Sequence, residues 1–486
     1  MLRLHIYNLS DCKFMKVMLT HNTVEELEAC DIGIGYIASA LQDKKHEVQL
    51  WLRNLSDKEF CQKLAKYNPD VIGIKILSSG IPVVLRWIEL IRKTTRSLIV
   101  IAGPHITCDP KNVLTQIPAD YAFQGDGERV FPQFVAHIEQ GNLEENLDSI
   151  KGLVYRKNGI CFSNPVDNIK KLDELSFPAW NLMPPAQYDS LFCKNPPAAS
   201  IMISRGCTHK CSFCTEGLRS VSYRSVENVV AEIKYLVENF GVREIQFVDS
   251  NFLFTKKYIM AFCNAILLSG IRISFSAPNG MRLEWLDEEL CEFLAKIGFY
   301  RANLGVESGS EEILNMVEKR ALPETFYKKV PILRKNGIYT VGNFMLGFPD
   351  ETKKQMKKTL KLALSLNLTG ANFSIYVPLP GTRLFEEMVA NGKIESQPNY
   401  HNYNYVTYEN NLTELSAAQL RRFRNWCIIR FIFRWKTIKI LFEFLRDKKM
   451  RQNLIHRLYG MYVQKYVKQI KRTKQTKQTK QIKQTN

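Results

Sequence analysis

The sequence predicts an α/β protein: a doubly wound open sheet first, an open partial parallel barrel second, and a helical basic extension last. Three observations carry this. Short apolar runs such as DVIGIKIL and SLIVIAG, the kind that fills a strand buried on both faces, alternate with helical segments through residues 1–140. The alternation resumes near Ser200 as six strand–helix repeats. Charge is concentrated at the end: residues 411–486 hold 20 Lys and Arg against 3 Asp and Glu, whereas residues 1–410 hold 47 against 45.

In order, LRLHIYNL reads as a strand, GYIASALQDKKH as a helix and EVQLWL as a second strand. KEFCQKLAKYN is helical and stops at Pro69. DVIGIKIL is a buried strand, PVVLRWIELIRKT a helix with Pro82 early in it, and SLIVIAG another buried strand. ADYAFQ fits an edge strand, and GERVFPQFVAHIEQ closes a domain of about five strands over 1–140. Ligands of such sheets sit at the strands' carboxyl ends. Residues 141–195 hold a hairpin around Asn158-Gly159 and a proline-rich linker or wrapping segment, LSFPAWNLMPP. Over 196–395, strands AASIMIS, REIQFVDS, IRISFSAP, YRANLGVES, IYTVGNFMLG and GANFSIYVPLP alternate with helices. Six repeats are too few for a closed eight-unit barrel. Residues 396–470 are expected to be a helical, basic and aromatic extension, and 471–486, KRTKQTKQTKQIKQTN, a disordered tail.

With 486 residues, 45% hydrophobic and 24% charged, the chain can bury large cores, which excludes wholesale disorder and small disulfide scaffolds. No run of 18 uncharged apolar residues suggests a membrane span, and the N-terminus lacks a secretory pattern, so a cytoplasmic location with reduced thiols is expected. Nine of the twelve cysteines are scattered. The other three lie within eight residues, in ISRGCTHKCSFCTEG: Cys207, Cys211 and Cys214, spaced C-x3-C-x2-C directly after a strand. Three readings are open. The thiolates hold an iron–sulfur cluster with one open iron, they join His209 around zinc, or they are unligated.

This loop, with Phe213 before the third cysteine and a partial barrel around it, resembles the radical S-adenosylmethionine (SAM) superfamily. The resemblance implies a [4Fe–4S] cluster on the three cysteines whose open iron chelates SAM and, once reduced, cleaves it to a 5′-deoxyadenosyl radical. The protein's task is then to position SAM and substrate and to exclude water. Linked motifs extend the likeness over roughly 200–390. FVDSNF carries Asp249, which the resemblance places with Phe213 among the SAM-binding residues, where relatives often have two acids; the second position here is Ser250. LGVESGSEEIL places Glu307 to reach SAM, with a helix-start carboxylate as the alternative. NFMLGFPDET places Gly347 and Pro349 near the adenine, and VPLPGTRLFEE matches the end of the sixth strand. Asn279 and Arg282 are weaker candidates for which an ordinary turn role is the stronger reading.

A doubly wound domain ahead of such a barrel resembles the cobalamin-binding domain of the cobalamin-dependent (class B) radical SAM enzymes. The implied cobalamin contacts are Gly35 in DIGIGYIASAL, Ser78 and Ser79 in IKILSSG, Gly103, Pro104 and His105 in IAGPHIT, and Gly125, Gly127 and Glu128 in QGDGER. The D-x-H-x-x-G motif for an axial histidine is absent, and His105 also reads as a hydrogen-bonded loop residue. GIGYIA lacks the third glycine of a dinucleotide fingerprint, since Ala38 stands there.

At the C-terminus, Trp426, Phe431, Phe433 and Trp435 interleave with Arg421, Arg422, Arg424, Arg430 and Arg434. This fits a helical cap over the barrel, or a weak contact with an anionic membrane or polyanion; nucleic acid is not expected. The expected activity is cobalamin-dependent methyl transfer to an unactivated carbon or phosphorus centre of a small molecule or natural product, fed by an external one-electron reductant of the flavodoxin or ferredoxin type. Alternatives are radical cyclisation or rearrangement, and methylthiolation of tRNA or a ribosomal protein. The latter group has further cluster cysteines in a pattern that Cys12, Cys30, Cys61 and Cys108 do not match. A zinc-stabilised binding protein is the non-enzymatic alternative.

Overall fold

The computed structural model describes residues 14–22, 30–52, 55–188, 193–400, 403–406 and 408–435. The expected strand over 2–9, the end of the basic extension and the terminal tail lie outside them. Residues 1–429 form one compact unit and 430–486 a second. In the second, the Arg434 guanidinium lies 3.8 Å from the Phe431 ring centre.

The first half of the large unit runs β1 (Lys16–Asn22), α1 (Ile32–Asp43), β2 (Glu47–Trp51), α2 (Asp57–Tyr67), β3 (Val71–Ile76), α3 (Ile81–Thr94), β4 (Leu98–Ala102), α4 (Pro104–Cys108), α5 (Val113–Gln116), β5 (Tyr121–Phe123), α6 (Gly127–Glu139) and α7 (Leu143–Asn146). Strands β2-β1-β3-β4-β5 are parallel in that order, a doubly wound arrangement. The expected hairpin, β6 (Leu153–Lys157) and β7 (Ile160–Ser163), adds antiparallel to β5. Hence ADYAFQ is an inner strand, not an edge, and the sheet has seven strands. The strand is short, and its one exposed side is covered because Val154 and Leu153 pair with Ala122 and Phe123.

The second half begins with β8 (Ala198–Ile201) and a two-residue ribbon of β9 (Ser204–Arg205) and β10 (Ser222–Tyr223). It continues through α8 (Val226–Phe240), β11 (Glu244–Phe247), α9 (Lys256–Ser269), β12 (Ser274–Met281), α10 (Glu288–Lys296), β13 (Phe299–Glu307), α11 (Glu311–Met316), α12 (Pro323–Lys335), β14 (Tyr339–Leu346), α13 (Lys353–Ser365), β15 (Gly370–Ile375) and α14 (Arg383–Ala390). Strands β8-β11-β12-β13-β14-β15 form an all-parallel six-stranded sheet in sequence order, the open partial barrel expected. Its helices carry local start and stop signals. Ser225 caps α8 and Gly241 ends it in the left-handed conformation, and α13 opens with a Thr352/Gln355 capping box. A last helix, α15, spans Ala417–Ile432.

The two sheets are stitched together. Trp180, from the proline-rich segment, is buried and donates to Glu232 of α8 at 3.0 Å, while Ala179 N donates to Gly35 O of α1. Val377, Tyr400 and Tyr403, which follow the barrel, are buried in the same apolar cluster as Ile72, Ile74 and Ile101 of the first sheet. That segment therefore completes the N-terminal core.

Candidate active site

The cysteine loop starts where β8 ends, and its base is fixed by Asp249. This carboxylate, after β11, accepts from Ile203 N (3.0 Å), Ser204 N (2.6 Å) and Ser204 Oγ (2.7 Å). Burial pushes Asp249 up to about 6, against the pull of those donors. Further along, Ser212 N donates to Val317 O (3.0 Å) and Ser212 O accepts from Leu384 N (2.9 Å). Phe213 meets Phe348 edge-on at 5.6 Å, against an apolar cluster with Ile313, Val317 and Tyr376. Phe213 thus holds the loop to the barrel, and Asp249 acts through Ser204.

Cys207, Cys211 and Cys214 are half-buried free thiols. Burial raises Cys211, opposed by Lys319 and Arg282, and pushes Cys214 up to about 11. Arg282 Nη1 stands 4.0 Å from Cys211 Sγ, and its Nη2 is held by Lys319 O at 2.7 Å. Among the described residues, no three His, Cys, Asp or Glu side chains are gathered closely enough to hold one metal ion, and this applies to the three cysteines with or without His209. A pinned loop offering three thiols beside two cations suits an anionic iron–sulfur cluster.

Glu307 ends β13 at φ 62°, in the left-handed region that non-glycine residues seldom occupy, and the ladder to β14 slips a residue there. Its Oε1 accepts from Lys319 Nζ at 2.9 Å, with the two side chains 12% and 8% exposed. Burial works against the Lys319 ammonium, but Glu307 and Cys211 together outweigh it and hold the lysine above its usual range. Lys319 escaped sequence reasoning because nothing in MVEKRAL marks it as buried. Gly347, after β14, has φ 90°, and a Cβ there would stand 2.8 Å from Leu420 Cδ2, so glycine is required. Its N–H donates to Glu351 Oε2 (2.7 Å), and its carbonyl accepts from Asn410 Nδ2 (2.8 Å). Pro349 is buried beside it. Asn410 is fully buried and bonds Tyr376 O as well; no sequence signal singles it out. Asn279 donates to Val248 O, an ordinary turn contact.

In the N-terminal sheet, Ser78 and Ser79 follow β3, Gly103, Pro104 and His105 follow β4, and Gly125 follows β5, all at carboxyl ends of parallel strands. Gly103 has φ 113° and passes so close to β3 that a Cβ would meet Ile76 O at 2.8 Å. Ser78 Oγ and His105 Nδ1 are 3.1 Å apart, and His105 Nε2 is buried without a hydrogen-bond partner. Burial pulls His105 down to about 4, so its ring is neutral at pH 7. Gly35 packs against Pro178 and Met183, Gly125 against Val166, and Gly127 against Ile37. Glu128 is buried and accepts from Arg205 Nη2 at 2.6 Å. An unpartnered ring nitrogen at a strand-end edge, beside a serine hydroxyl, fits a polar, nitrogen-rich cofactor such as cobalamin.

The carboxyl edges of the two sheets meet. A Cβ on Gly381, after β15, would stand 2.4 Å from Cys108 O of α4. Cys108 also lies beside Thr215, next to Cys214.

The sequence matches the family model of the Radical SAM superfamily over residues 201–363 and that of the B12 binding domain over residues 22–135. The chain thus carries a radical SAM domain, the kind that takes a [4Fe–4S] cluster and SAM, and a B12-binding domain, the kind that takes cobalamin. Among its relatives, an uncharacterized methyltransferase of Pyrococcus horikoshii is 28% identical over 89% of this chain and 95% of that protein. The anaerobic magnesium-protoporphyrin IX monomethyl ester cyclase of Rubrivivax gelatinosus is 26% identical over 77% of this chain and 67% of its own length. The fold is shared with the radical SAM methyltransferase TsrM of Kitasatospora setae, solved with cobalamin and a [4Fe–4S] cluster, at TM-score 0.64 and 18% identity over 78% of this chain and 75% of that one.

Proposed function

We propose that this enzyme transfers a methyl group to an unactivated carbon or phosphorus centre of a small molecule or natural product. The observation that supports the reading is the close approach of the two carboxyl edges, with the Gly381 backbone packed against Cys108 O and Cys108 beside Thr215 of the cysteine loop. When bound, the cluster supplies one-electron cleavage of SAM, and cobalamin carries the methyl group. Cys207, Cys211 and Cys214 hold the cluster. Glu307 and the Gly347–Pro349 turn line SAM, Phe213 and Asp249 keep the loop in place, and Lys319 neutralises Glu307. Ser78, Ser79, Gly103, Pro104 and His105 face cobalamin. An external flavodoxin- or ferredoxin-type protein supplies electrons. The relationship to the Rubrivivax cyclase favours radical cyclisation as the second reading.

The test is anaerobic reconstitution followed by iron, sulfide and cobalt analysis, an absorption spectrum, and product analysis with SAM and reductant. S-Adenosylhomocysteine together with 5′-deoxyadenosine supports methyl transfer; 5′-deoxyadenosine alone supports cyclisation. A colourless chain that binds neither iron nor cobalt overturns the reading.

A further inference from the structure

Arg205 lies two residues before Cys207, and Arg219 five residues after Cys214, so the pair brackets the cysteine loop. The β9–β10 ribbon closes the base of that loop, with Ser222 opposite Arg205. Both guanidiniums reach out of the barrel to one carboxylate of the N-terminal domain. Asp126 accepts from Arg205 Nη1 at 3.0 Å and from Arg219 Nη2 at 3.0 and 2.9 Å. Glu128 takes the second arm of Arg205. Asp126 is the residue before α6, three positions past the end of β5, and its Oδ2 also accepts from Ile169 N at 2.9 Å. Tyr36 of α1 lies under the Arg205 guanidinium, 5.3 Å from ring centre to carbon. Asp126 and Glu128 are each 6% exposed.

Such a neutral buried network gives little net stability against an apolar replacement, because desolvation offsets attraction. What it fixes is geometry: planar forks on two sides of a loop, each bound to a carboxylate that cannot move without leaving a charge unpaired. We propose that Asp126 and Glu128 are positioning residues that set, through Arg205 and Arg219, where the cysteine loop stands relative to the cobalamin edge. The inference rests on the cofactor placement proposed above. Asp126 and Glu128 then serve the register between two cofactors rather than contact with either.

The test uses the full chain loaded with iron, sulfide and cobalamin, then reduced until both the cluster and cob(II)alamin are paramagnetic. Their magnetic interaction, read by electron paramagnetic resonance, depends steeply on separation and orientation. Asp126→Asn and Arg205→Gln are expected to retain the parent's iron and cobalt content but to shift or broaden that interaction, and Arg205→Lys to recover part of it. A misplacement of about 1 Å also predicts a fall in kcat of about a hundredfold, with KM for SAM unchanged. Arg219→Gln removes a more exposed arm and carries the same test should the buried variants not fold. Variants that keep the parent's magnetic interaction and kcat while losing only thermal stability overturn the inference. A parent chain that takes up no cluster or no cobalamin overturns the underlying reading first, and this inference with it.

Discussion

At the residue scale, the site depends on charges held where water cannot reach them. Removing Lys319 leaves Glu307 buried and unpaired, and breaking such a pair costs about 3–5 kcal/mol. Lys319→Met should therefore lower the unfolding free energy by about that amount in a denaturant titration of the apo chain, whereas Lys319→Met combined with Glu307→Gln should recover much of it. Glu351 behaves differently because, among the described residues, no cation is paired with it. Burial pushes it up to about 7 although Gly347 N and Phe348 N donate to it. The unfolded chain loses this proton near the ordinary glutamate value, the folded chain only near 7, so the folded state binds more protons in between. This contribution is complete below about pH 4.5 and is lost as pH rises through 7. Glu351→Gln, which keeps an uncharged acceptor, should flatten the fall in stability across that window relative to the parent. Parallel pH profiles for the two proteins would contradict the assignment.

At the scale of elements, the turn after β14 is held from outside the barrel. Asn410 satisfies the carbonyls of Gly347 and Tyr376 while itself fully buried. Asn410→Ala strands both carbonyls, each costing about 1–3 kcal/mol. It should weaken SAM binding measured by calorimetry more than it disturbs iron content, because it loosens the turn proposed to line SAM and not the cysteine loop. Legibility follows the same division. The cysteine loop, the six barrel strands and the parallel strands β2 to β5 are written locally, in spacing, apolar runs and caps. Strand β1 is not. In KVMLTHN, Thr20 donates to Trp51 O and the His21 ring meets Asp31 and Leu52 O, while Lys75 closes on Asp31. A central strand whose polar residues are satisfied by distant partners shows no continuous apolar run. Asn410, Lys319 and the Arg205–Asp126 network were illegible for the same reason: each owes its role to a partner far along the chain.

At the scale of the whole molecule, the N-terminal domain is not closed by its own sequence. The boundary read near residue 140 omits the β6–β7 hairpin, and even a fragment through 165 lacks Val377, Tyr400 and Tyr403, which are buried in its core. Tyr400 also stands edge-on to His105, with ring centres 4.9 Å apart, so the same segment covers a strand-end residue of the proposed cobalamin edge. Burying a large apolar side chain contributes about 1.5–3 kcal/mol, and a domain's net stability is only about 5–15 kcal/mol. Losing three such side chains removes most of that margin, and in the same fragment Asp126 and Glu128 lose both arginines. Residues 1–165 expressed alone should therefore bind a hydrophobic dye and melt without a cooperative transition, while the full chain does neither. A sharp, dye-free transition for the fragment would show that the core closes without the C-terminal segment. Adding residues 370–435 in trans should restore cooperativity only if the Tyr400 segment docks, and Tyr400→Ser with Tyr403→Ser in the added piece should abolish the rescue. That dependence ties the proposed cobalamin edge to the chain beyond β15: the surface that would receive the cofactor is finished by residues more than two hundred positions further along the sequence.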